Sequence, residues 1–210
     1  YKRQVNIAMV NELKLIFERM NINIWEVIEA ANSKPFGFMP FYPGPGMGGH
    51  CIPIDPFYLS WKAKEFNTEA KFIELAGEVN RKMTENVAHR IGKALNDHSK
   101  SIRKSNILML GLAYKKDIDD MRESPALKIA ELLRFKGANI SYHDPNINDA
   151  KELKFVELNK ESLRKADAVV ITTDHSNVDY EMVGKYARLI IDTRNVMAGV
   201  KNPKADVLRA

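Results

Sequence analysis

Short apolar runs alternate with helix-forming segments through the second half of the chain, and this alternation constrains the fold more than any other feature of the sequence. The runs are NILMLGLAY, ANISYHD, DAVVITTDH and RLIIDTRN. Between the first two, Ser124–Pro125 carries the signals that begin a helix, and Gly137 carries the signal that ends one. Strands that alternate with helices predict a parallel, doubly wound sheet, so the fold class predicted for residues 106–210 is α/β.

Polar residues follow each of these runs, at the place where ligands bind in sheets of this kind. In open parallel sheets the binding crevice lies outside the carboxyl ends of the strands. The residues that fall there are Tyr114, Lys115, His143, Asp144, Thr173, Asp174, Asp192 and Arg194. Lysine and arginine at such ends suit a pyrophosphate group. The sequence His143–Asp144–Pro145 is typical of a turn, and no role is assigned to it.

Helical periodicity replaces this pattern over residues 1–97. The first segment repeats apolar residues at three- and four-residue steps: Val5, Ala8, Met9, Leu13, Ile16 and Met20. The last segment, from about residue 70 to 95, carries an apolar stripe of Phe72, Leu75, Val79, Met83, Val87 and Ile91. Between them, Asn23 and Asp55 are the predicted N-caps of two further helices. The polar segment 98–105 predicts a linker between this all-helical region and the α/β domain.

One irregular stretch interrupts the helical region and holds the only cysteine. It reads FYPGPGMGGHCIPIDPFYL and has glycines at positions 44, 46, 48 and 49, which permit positive φ and close approach of a ligand to the backbone. Cys51 lies four residues before the helix that starts at Asp55, and a thiol near a helix N-terminus ionises more readily. A single cysteine is also commonly a small buried hydrophobe, so the residues alone favour neither reading. A metal site made of His50, Cys51 and Asp55 is disfavoured, because no second cysteine or histidine lies at ligand spacing.

Composition excludes several other classes of protein. One cysteine rules out an internal disulfide framework and suits a reducing cytoplasm. No apolar run approaches the roughly 18 residues of a membrane span. A formal net charge of +5 favours anionic ligands or simply a solvated basic surface. No basic stripe interleaved with aromatic residues indicates nucleic-acid binding.

Five segments together, in order along the chain, resemble the UDP-glucose/GDP-mannose dehydrogenase family. They are VNIAMVNEL, GPGMGGHCIPIDPFYL, FIELAGEVN, GLAYKKDIDDMRESPAL and IIDTRN. Within the family they are most similar to the UDP-N-acetylglucosamine 6-dehydrogenase branch and the related UDP-N-acetylmannosamine dehydrogenases. The resemblance implies a central helical dimerisation domain over residues 1–97, a linker over 98–105, and a Rossmann-like UDP-sugar-binding domain over 106–210. It also implies a homodimer through the central helices. The composition described above favours the cytoplasm, with no nucleic-acid or membrane partner.

The activity that the resemblance implies is a four-electron oxidation. The C6 alcohol of a UDP-N-acetylhexosamine becomes a carboxylate through two hydride transfers to two NAD+ molecules, for envelope polysaccharide synthesis. Cys51 matches the family nucleophile, which attacks the C6 aldehyde to give a thiohemiacetal that is oxidised to a thioester and hydrolysed. Asp55 matches an aspartate that handles protons or activates water, although an aspartate before a proline is also an ordinary helix cap.

The resemblance also implies binding residues. The substrate contacts are Tyr42, Pro43, Gly44, Gly46, Gly48, Tyr114, Lys115 and Arg194. Arg122 matches an arginine near the cofactor NAD. Without the resemblance, Lys115, Arg122 and Arg194 would be interpreted as ordinary surface cations, and Lys116 is interpreted as one here.

The chain departs from the family pattern in three respects. The G-x-G-x-x-G fingerprint of an NAD-binding domain is not found in it, and GPGMGG does not qualify because no strand precedes it. The family's catalytic lysine and asparagine would fall just before Tyr1, so we expect the chain to be the C-terminal part of a longer protein and inactive alone. Phe36 stands where some relatives carry an arginine that reaches the neighbouring subunit's site. The alternative functions are a UDP-sugar-binding module without catalysis and a purely structural dimerisation module.

Overall fold

The computed structural model describes all 210 residues as seven α-helices, six β-strands and one short 3-10 helix. The helices are α1 (Lys2–Arg19), α2 (Ile24–Asn32), α3 (Asp55–Glu65), α4 (Lys71–Asp97), α5 (Pro125–Phe135), α6 (Lys160–Lys165) and α7 (Tyr180–Tyr186). The strands are β1 (Asn106–Leu110), β2 (Asn139–His143), β3 (Lys154–Phe155), β4 (Ala168–Ile171), β5 (Leu189–Asp192) and β6 (Asp206–Arg209), and the 3-10 helix is Val196–Gly199. None of the helices combines the length and the apolar character that crossing a membrane requires.

The six strands form one parallel sheet in the order β3-β2-β1-β4-β5-β6. The predicted fold class, a helical region followed by a parallel α/β sheet, is confirmed. The four apolar runs of the sequence correspond to β1, β2, β4 and β5, and sequence analysis missed β3 and β6. Strand β3 has only two residues, and both β3 and β6 lie at sheet edges with half-buried or exposed side chains. Neither strand therefore shows the continuous apolar run by which a buried strand is recognised.

Two apolar layers cover the two faces of the sheet. Strand β1 contributes Ile107 and Met109 to one layer and Leu108 and Leu110 to the other, as its alternation requires. The second half of α4 lies in the first layer, together with α5, through buried residues such as Val87. Helix α4 thus begins in the helical region and ends against the sheet. This shared helix connects the two parts of the chain. The linker at residues 98–105 stays a prediction.

The apolar faces predicted for α1 and α4 are only partly buried. In α1, Met9 and Ile16 are exposed, as are Met20 just after it and Phe72 and Leu75 at the start of α4. Of the predicted stripes, Ala8, Met83, Val87 and Ile91 are buried. The other buried residues of α1 are Gln4, Val10, Asn11 and Lys14, and the side chains of Gln4 and Asn11 donate hydrogen bonds to α4.

The predicted helix caps were right in two cases and wrong in one. The side chain of Asn23 accepts a hydrogen bond from the backbone N–H of Trp25, and Ser124 caps α5 in the same way. Helix α3 begins at Asp55 itself, with Ile54 at the N-cap position and no side-chain cap. Asp55 therefore does not cap its helix, and its exposed carboxylate is left available for another role.

Candidate active site between the glycine loop and the sheet

The glycine loop, residues 41–54, packs against the segments that follow the carboxyl ends of β1 and β5. Gly44 lies against Arg194, which follows β5, and a Cβ built on Gly44 would lie 2.7 Å from Nη1 of Arg194. A Cβ on Gly48 would lie 2.6 Å from Cβ of Tyr114, and one on Gly49 would lie 2.7 Å from the Tyr114 ring. The structure therefore brings the loop glycines together with Tyr114 and Arg194, which the sequence predicted as separate contacts.

Glycine is required in this loop for two different physical reasons. Gly46 and Gly49 have φ angles of 140° and 91°, which residues with a side chain rarely adopt. Gly48 is required because of proximity, since a Cβ there would lie 2.9 Å from the carbonyl oxygen of Glu123 and 3.0 Å from Cδ of Pro125. The backbone of the loop is thus itself the surface that meets the α/β domain.

We expect Gly48→Ala to separate the loop from the α/β domain and to lower the free energy of unfolding by about 1–3 kcal/mol, because an added methyl group must displace backbone atoms. Urea unfolding measures the free energy of unfolding. Gly199→Ala is the matched control, since a Cβ at position 199 meets nothing within 4 Å. Equal stability of Gly48→Ala and the wild type would show that this contact does not hold the loop.

A buried network that sequence analysis missed fixes the start of the loop. Asn11 Oδ1 accepts a hydrogen bond from the N–H of Gly44 (3.0 Å), and its Nδ2 donates to Asn80 Oδ1 (2.9 Å). Asn80 Nδ2 donates in turn to the carbonyl oxygen of Gln4 (3.2 Å). Because all three side chains are buried, losing one bond would leave a polar group unpaired. Asn11 therefore positions Gly44, and the only signal in the sequence was a polar residue on a helix with apolar neighbours.

Cys51, the only thiol, is exposed at the end of the glycine run. Its carbonyl oxygen accepts hydrogen bonds from the N–H groups of Ile54 (3.2 Å) and Asp55 (2.9 Å), so one turn of chain separates the thiol from the start of α3. The carbonyl oxygen of Arg122 accepts a hydrogen bond from the N–H of Gly49 (2.9 Å). The glycine loop therefore presents an exposed thiol, and its backbone is bonded to the segment that carries Arg122.

The side chain of Arg122 is held in place by Asp120. Nη2 of Arg122 lies 2.6 Å from Oδ2 of Asp120. This hydrogen-bonded pairing is the main cause that raises the pKa of Arg122, and Tyr114 and Cys51 contribute less. The same pairing, with a smaller contribution from His50, lowers the pKa of Asp120. Both side chains therefore stay charged in the neutral pH range.

Arg194 is fixed by its backbone and by its side chain. Its N–H donates to Oδ1 of Asp192 (2.9 Å), and its Nε donates to the carbonyl oxygen of Thr172 (2.9 Å). Burial lowers the pKa of the guanidinium group, and the carboxylates of Asp174 and Asp192 partly offset this effect. A fixed guanidinium at a strand end is a donor that suits phosphate oxygens.

The other predicted contacts are more loosely placed. Lys115 is exposed. Tyr42 is exposed as well, and its ring stacks on Trp25 of α2 with a centroid separation of 5.6 Å, while Pro43 is buried. The nearest carboxylate to Lys116 is that of Asp174, at 3.9 Å. No group of three or more His, Cys, Asp or Glu side chains is arranged to hold a metal ion.

The turn after β1 differs from the turn that holds a dinucleotide. In dinucleotide-binding domains the backbone N–H groups at this position bind the pyrophosphate. Here the N–H groups of Leu112 and Ala113 donate to Oδ2 of Asp144, at 2.6 Å and 3.0 Å. A Cβ on Gly111 would lie 2.6 Å from the carbonyl oxygen of Thr173, so this glycine packs against the chain that follows β4. The residues of this turn do not fit NAD.

The sheet order and the loop across its strand ends define a doubly wound α/β domain attached to a helical region. Two family models match the chain: the UDP-glucose/GDP-mannose dehydrogenase family central domain over residues 1–82, and the UDP binding domain of the same family over residues 108–199. The chain belongs to the UDP-glucose/GDP-mannose dehydrogenase family, as its sequence motifs predicted.

Individual relatives support the same assignment. The chain is 38% identical over 204 residues to the UDP-N-acetyl-D-mannosamine dehydrogenase of Pyrococcus horikoshii, covering 93% of this chain and 46% of the relative. It is 36% identical over 201 residues to the NDP-N-acetyl-D-galactosaminuronic acid dehydrogenase of Ralstonia nicotianae, covering 92% and 45%. The solved structure of the UDP-D-ManNAc dehydrogenase from Pyrococcus horikoshii matches with a TM-score of 0.83 and 33% identity, covering 98% of this chain and 48% of that one. The chain spans about half the length of the curated relatives it matches.

Proposed function

We propose that the protein takes part in the NAD-dependent oxidation of the C6 hydroxyl group of a UDP-N-acetylhexosamine to the uronic acid. The observation that carries the proposal is the packing of the Cys51 loop against Tyr114 and Arg194 at the strand ends. Arg194, with Lys115, would bind the pyrophosphate of the UDP-sugar, while the loop would hold the sugar near the thiol. The names of the relatives, which are nucleotide-sugar dehydrogenases, support the substrate class.

Cys51 is the nucleophile in this proposal. Its thiolate adds to the carbonyl carbon of the C6 aldehyde, a C–S bond forms, and the oxygen takes a proton to give a thiohemiacetal. Loss of a hydride and a proton converts the thiohemiacetal into a thioester, and water then breaks the C–S bond to release the carboxylate and the thiol. Each of the two oxidations transfers one hydride to one molecule of NAD+. The turn after β1 in this chain does not provide the NAD+ site.

The remaining polar groups have narrower proposed roles. Asp55, which is exposed and does not cap its helix, would take the proton from the water that attacks the thioester. Arg122, held by Asp120, would lie near the cofactor. The sugar would contact the loop residues Tyr42, Pro43, Gly44, Gly46 and Gly48.

The sugar is the least determined part of the proposal, and one assay addresses it. The sequence motifs favoured UDP-N-acetylglucosamine, whereas the relatives are named for N-acetylmannosamine and N-acetylgalactosaminuronic acid. The protein, purified at its native length, is incubated with NAD+ and with each of the three UDP-N-acetylhexosamines. Formation of the uronic acid with two NADH per sugar from any of them supports the proposal. No NADH from any UDP-sugar, at a native length that includes an NAD-binding domain, would contradict it.

We also propose a homodimer through the helical region, in a reducing compartment such as the cytoplasm. Large apolar side chains on α3 and at the start of α4 are exposed, among them Trp61 at 62% and Phe72 at 80%. A second copy of the chain would cover them. The thiol of Cys51 must stay reduced to act as a nucleophile, which favours the cytoplasm. Sedimentation velocity tests the dimer, and a monomer at micromolar concentration would contradict it.

A further inference from the structure

Two buried polar side chains beneath the β1 turn, residues 111–117, have no part in the proposed chemistry. Asp144 follows β2 and His175 follows β4, and both are fully buried. Buried charged or titratable side chains are uncommon unless they are paired. In the sequence Asp144 is typical of a turn, and only the structure shows that its side chain is buried.

The carboxylate of Asp144 fills the anion position of the turn. Its Oδ2 accepts hydrogen bonds from the N–H groups of Leu112 and Ala113, and its Oδ1 accepts one from the N–H of Asn146 (2.9 Å). Burial opposes its ionisation, but hydrogen bonds from His175, Asn146, Ala113 and Leu112 outweigh burial and lower the pKa of Asp144. An internal carboxylate thus occupies the place where dinucleotide-binding domains hold a phosphate.

The tautomer of His175 follows from its hydrogen-bond partners. Its Nδ1 accepts a hydrogen bond from the backbone N–H of Asp117 (3.0 Å), and a backbone N–H can only donate. In the neutral ring the proton therefore lies on Nε2, which donates to Oδ2 of Asp144 (3.1 Å). The ring connects the carboxylate under the start of the turn to the backbone at its end.

The end of the turn is fastened a second time. The carboxylate of Asp117 accepts hydrogen bonds from the N–H and from the hydroxyl group of Ser176, both at 2.7 Å. Asp117 also has a φ of 58°, a conformation that needs such support in a residue other than glycine. Tyr114 and Lys115 lie between these two fixed points, Ala113 and Asp117.

We propose that Asp144 and His175 are positioning residues that hold Tyr114 and Lys115 in the conformation that binds the UDP-sugar. The inference rests on the proposed function, because it assigns the turn to UDP recognition. Without Asp144 the N–H groups of Leu112 and Ala113 lose their acceptor, and His175 loses its partner. The turn that carries Tyr114 and Lys115 is then free to move. Its loss of order weakens UDP binding rather than slowing the chemical step.

Calorimetric titration of UDP into the full protein tests the pair. We expect Asp144→Ala to weaken UDP binding by roughly tenfold to a hundredfold, since charge-assisted hydrogen bonds are lost. Formate should restore much of the affinity, because it can fill the space of the missing carboxylate. His175→Leu should weaken binding similarly, and His175→Gln should lose less, because an amide can both donate and accept. In turnover assays these variants should raise KM more than they lower kcat.

Asp167→Ala is the matched control for loss of a structural carboxylate. Asp167 accepts a hydrogen bond from the N–H of Asn106 (2.8 Å) and pairs with Lys100 (3.0 Å) at the opposite end of β1. We expect it to lower thermal stability without changing UDP affinity. The inference is overturned if Asp144→Ala binds UDP as the wild type does, if formate has no effect, or if Asp167→Ala loses the same affinity.

An NMR measurement separates this inference from the proposed function. The amide proton of Leu112, in a short hydrogen bond to a carboxylate, should resonate far downfield, move upfield in Asp144→Ala and return with formate. If the wild type binds no UDP, the proposed function fails whatever the amide does. If the Leu112 amide is the same in Asp144→Ala and the wild type, the carboxylate does not hold the turn and this inference fails alone.

Discussion

Cys51→Ala is expected to abolish formation of the uronic acid while leaving UDP-sugar binding nearly unchanged. Removing a covalent nucleophile costs on the order of a thousandfold or more in turnover, because no other group can form the intermediate. The chain has one cysteine, and therefore no second thiol in it can substitute. Binding should persist because the proposed affinity comes from Arg194, Lys115 and the loop backbone. Product is measured by mass spectrometry of the sugar, and binding by calorimetry.

The reactivity of this thiol also provides the control for the prediction. Iodoacetamide should label Cys51 in the wild type and block acid formation, UDP-sugar should slow this labelling, and mass spectrometry of the peptide that contains Cys51 measures it. In Cys51→Ala the same peptide should stay unlabelled and the UDP affinity should be unchanged by the reagent. Acid formation at the wild-type rate by Cys51→Ala would refute the thioester route. UDP-sugar binding without any acid from the native-length wild type would instead favour the non-catalytic binding module.

The sequence was most informative where a single pattern dominates the physics. Parallel strands buried on both faces must be continuously apolar, so β1, β4 and β5 were visible, and with them the strand ends that carry Tyr114 and Arg194. The glycine loop was visible because positive φ and close approach exclude other residues, as Gly46 and Gly48 illustrate. These predictions depend on local requirements that each residue meets by itself.

The sequence was least informative where a residue's role depends on a distant partner. Asn11 and Asn80 are buried and bonded to each other, yet they are 69 positions apart in the chain. Asp144 and His175 are bonded across 31 positions, whereas the local sequence indicates only a turn at Asp144 and no role for His175. The periodicity of α1 marks its apolar face, and it gives no sign that polar residues such as Asn11 are buried in hydrogen bonds to α4. Apolar residues such as Met9 are left exposed.

Lys14→Met is expected to stabilise the fold by up to about 3 kcal/mol below pH 8. Lys14 is 6% exposed, and its Nζ has no hydrogen-bond partner. Burial, with the nearby charge of Arg90, lowers its pKa from 10.5 to about 8, although Asp192 acts in the opposite direction. A shift of this size corresponds to about 3 kcal/mol of unfavourable energy for the charged form. Methionine fills a similar volume without a charge to desolvate.

The pH dependence of the free energy of unfolding tests whether the buried charge of Lys14 is the cause. Because the unfolded chain holds the Lys14 proton up to about 10.5 and the folded chain only up to about 8, the wild type gains stability as pH rises between these values. Lys14→Met has no such proton, so its advantage in urea unfolding should be full at pH 7 and should shrink toward pH 10.5. Lys93→Met, which removes an exposed lysine of α4, should change stability by less than about 0.5 kcal/mol at either pH.

An advantage of Lys14→Met that stays constant with pH would mean that packing, rather than the buried charge, is responsible. Destabilisation by Lys14→Met at pH 7 would mean that the ammonium group has a favourable partner in the folded protein.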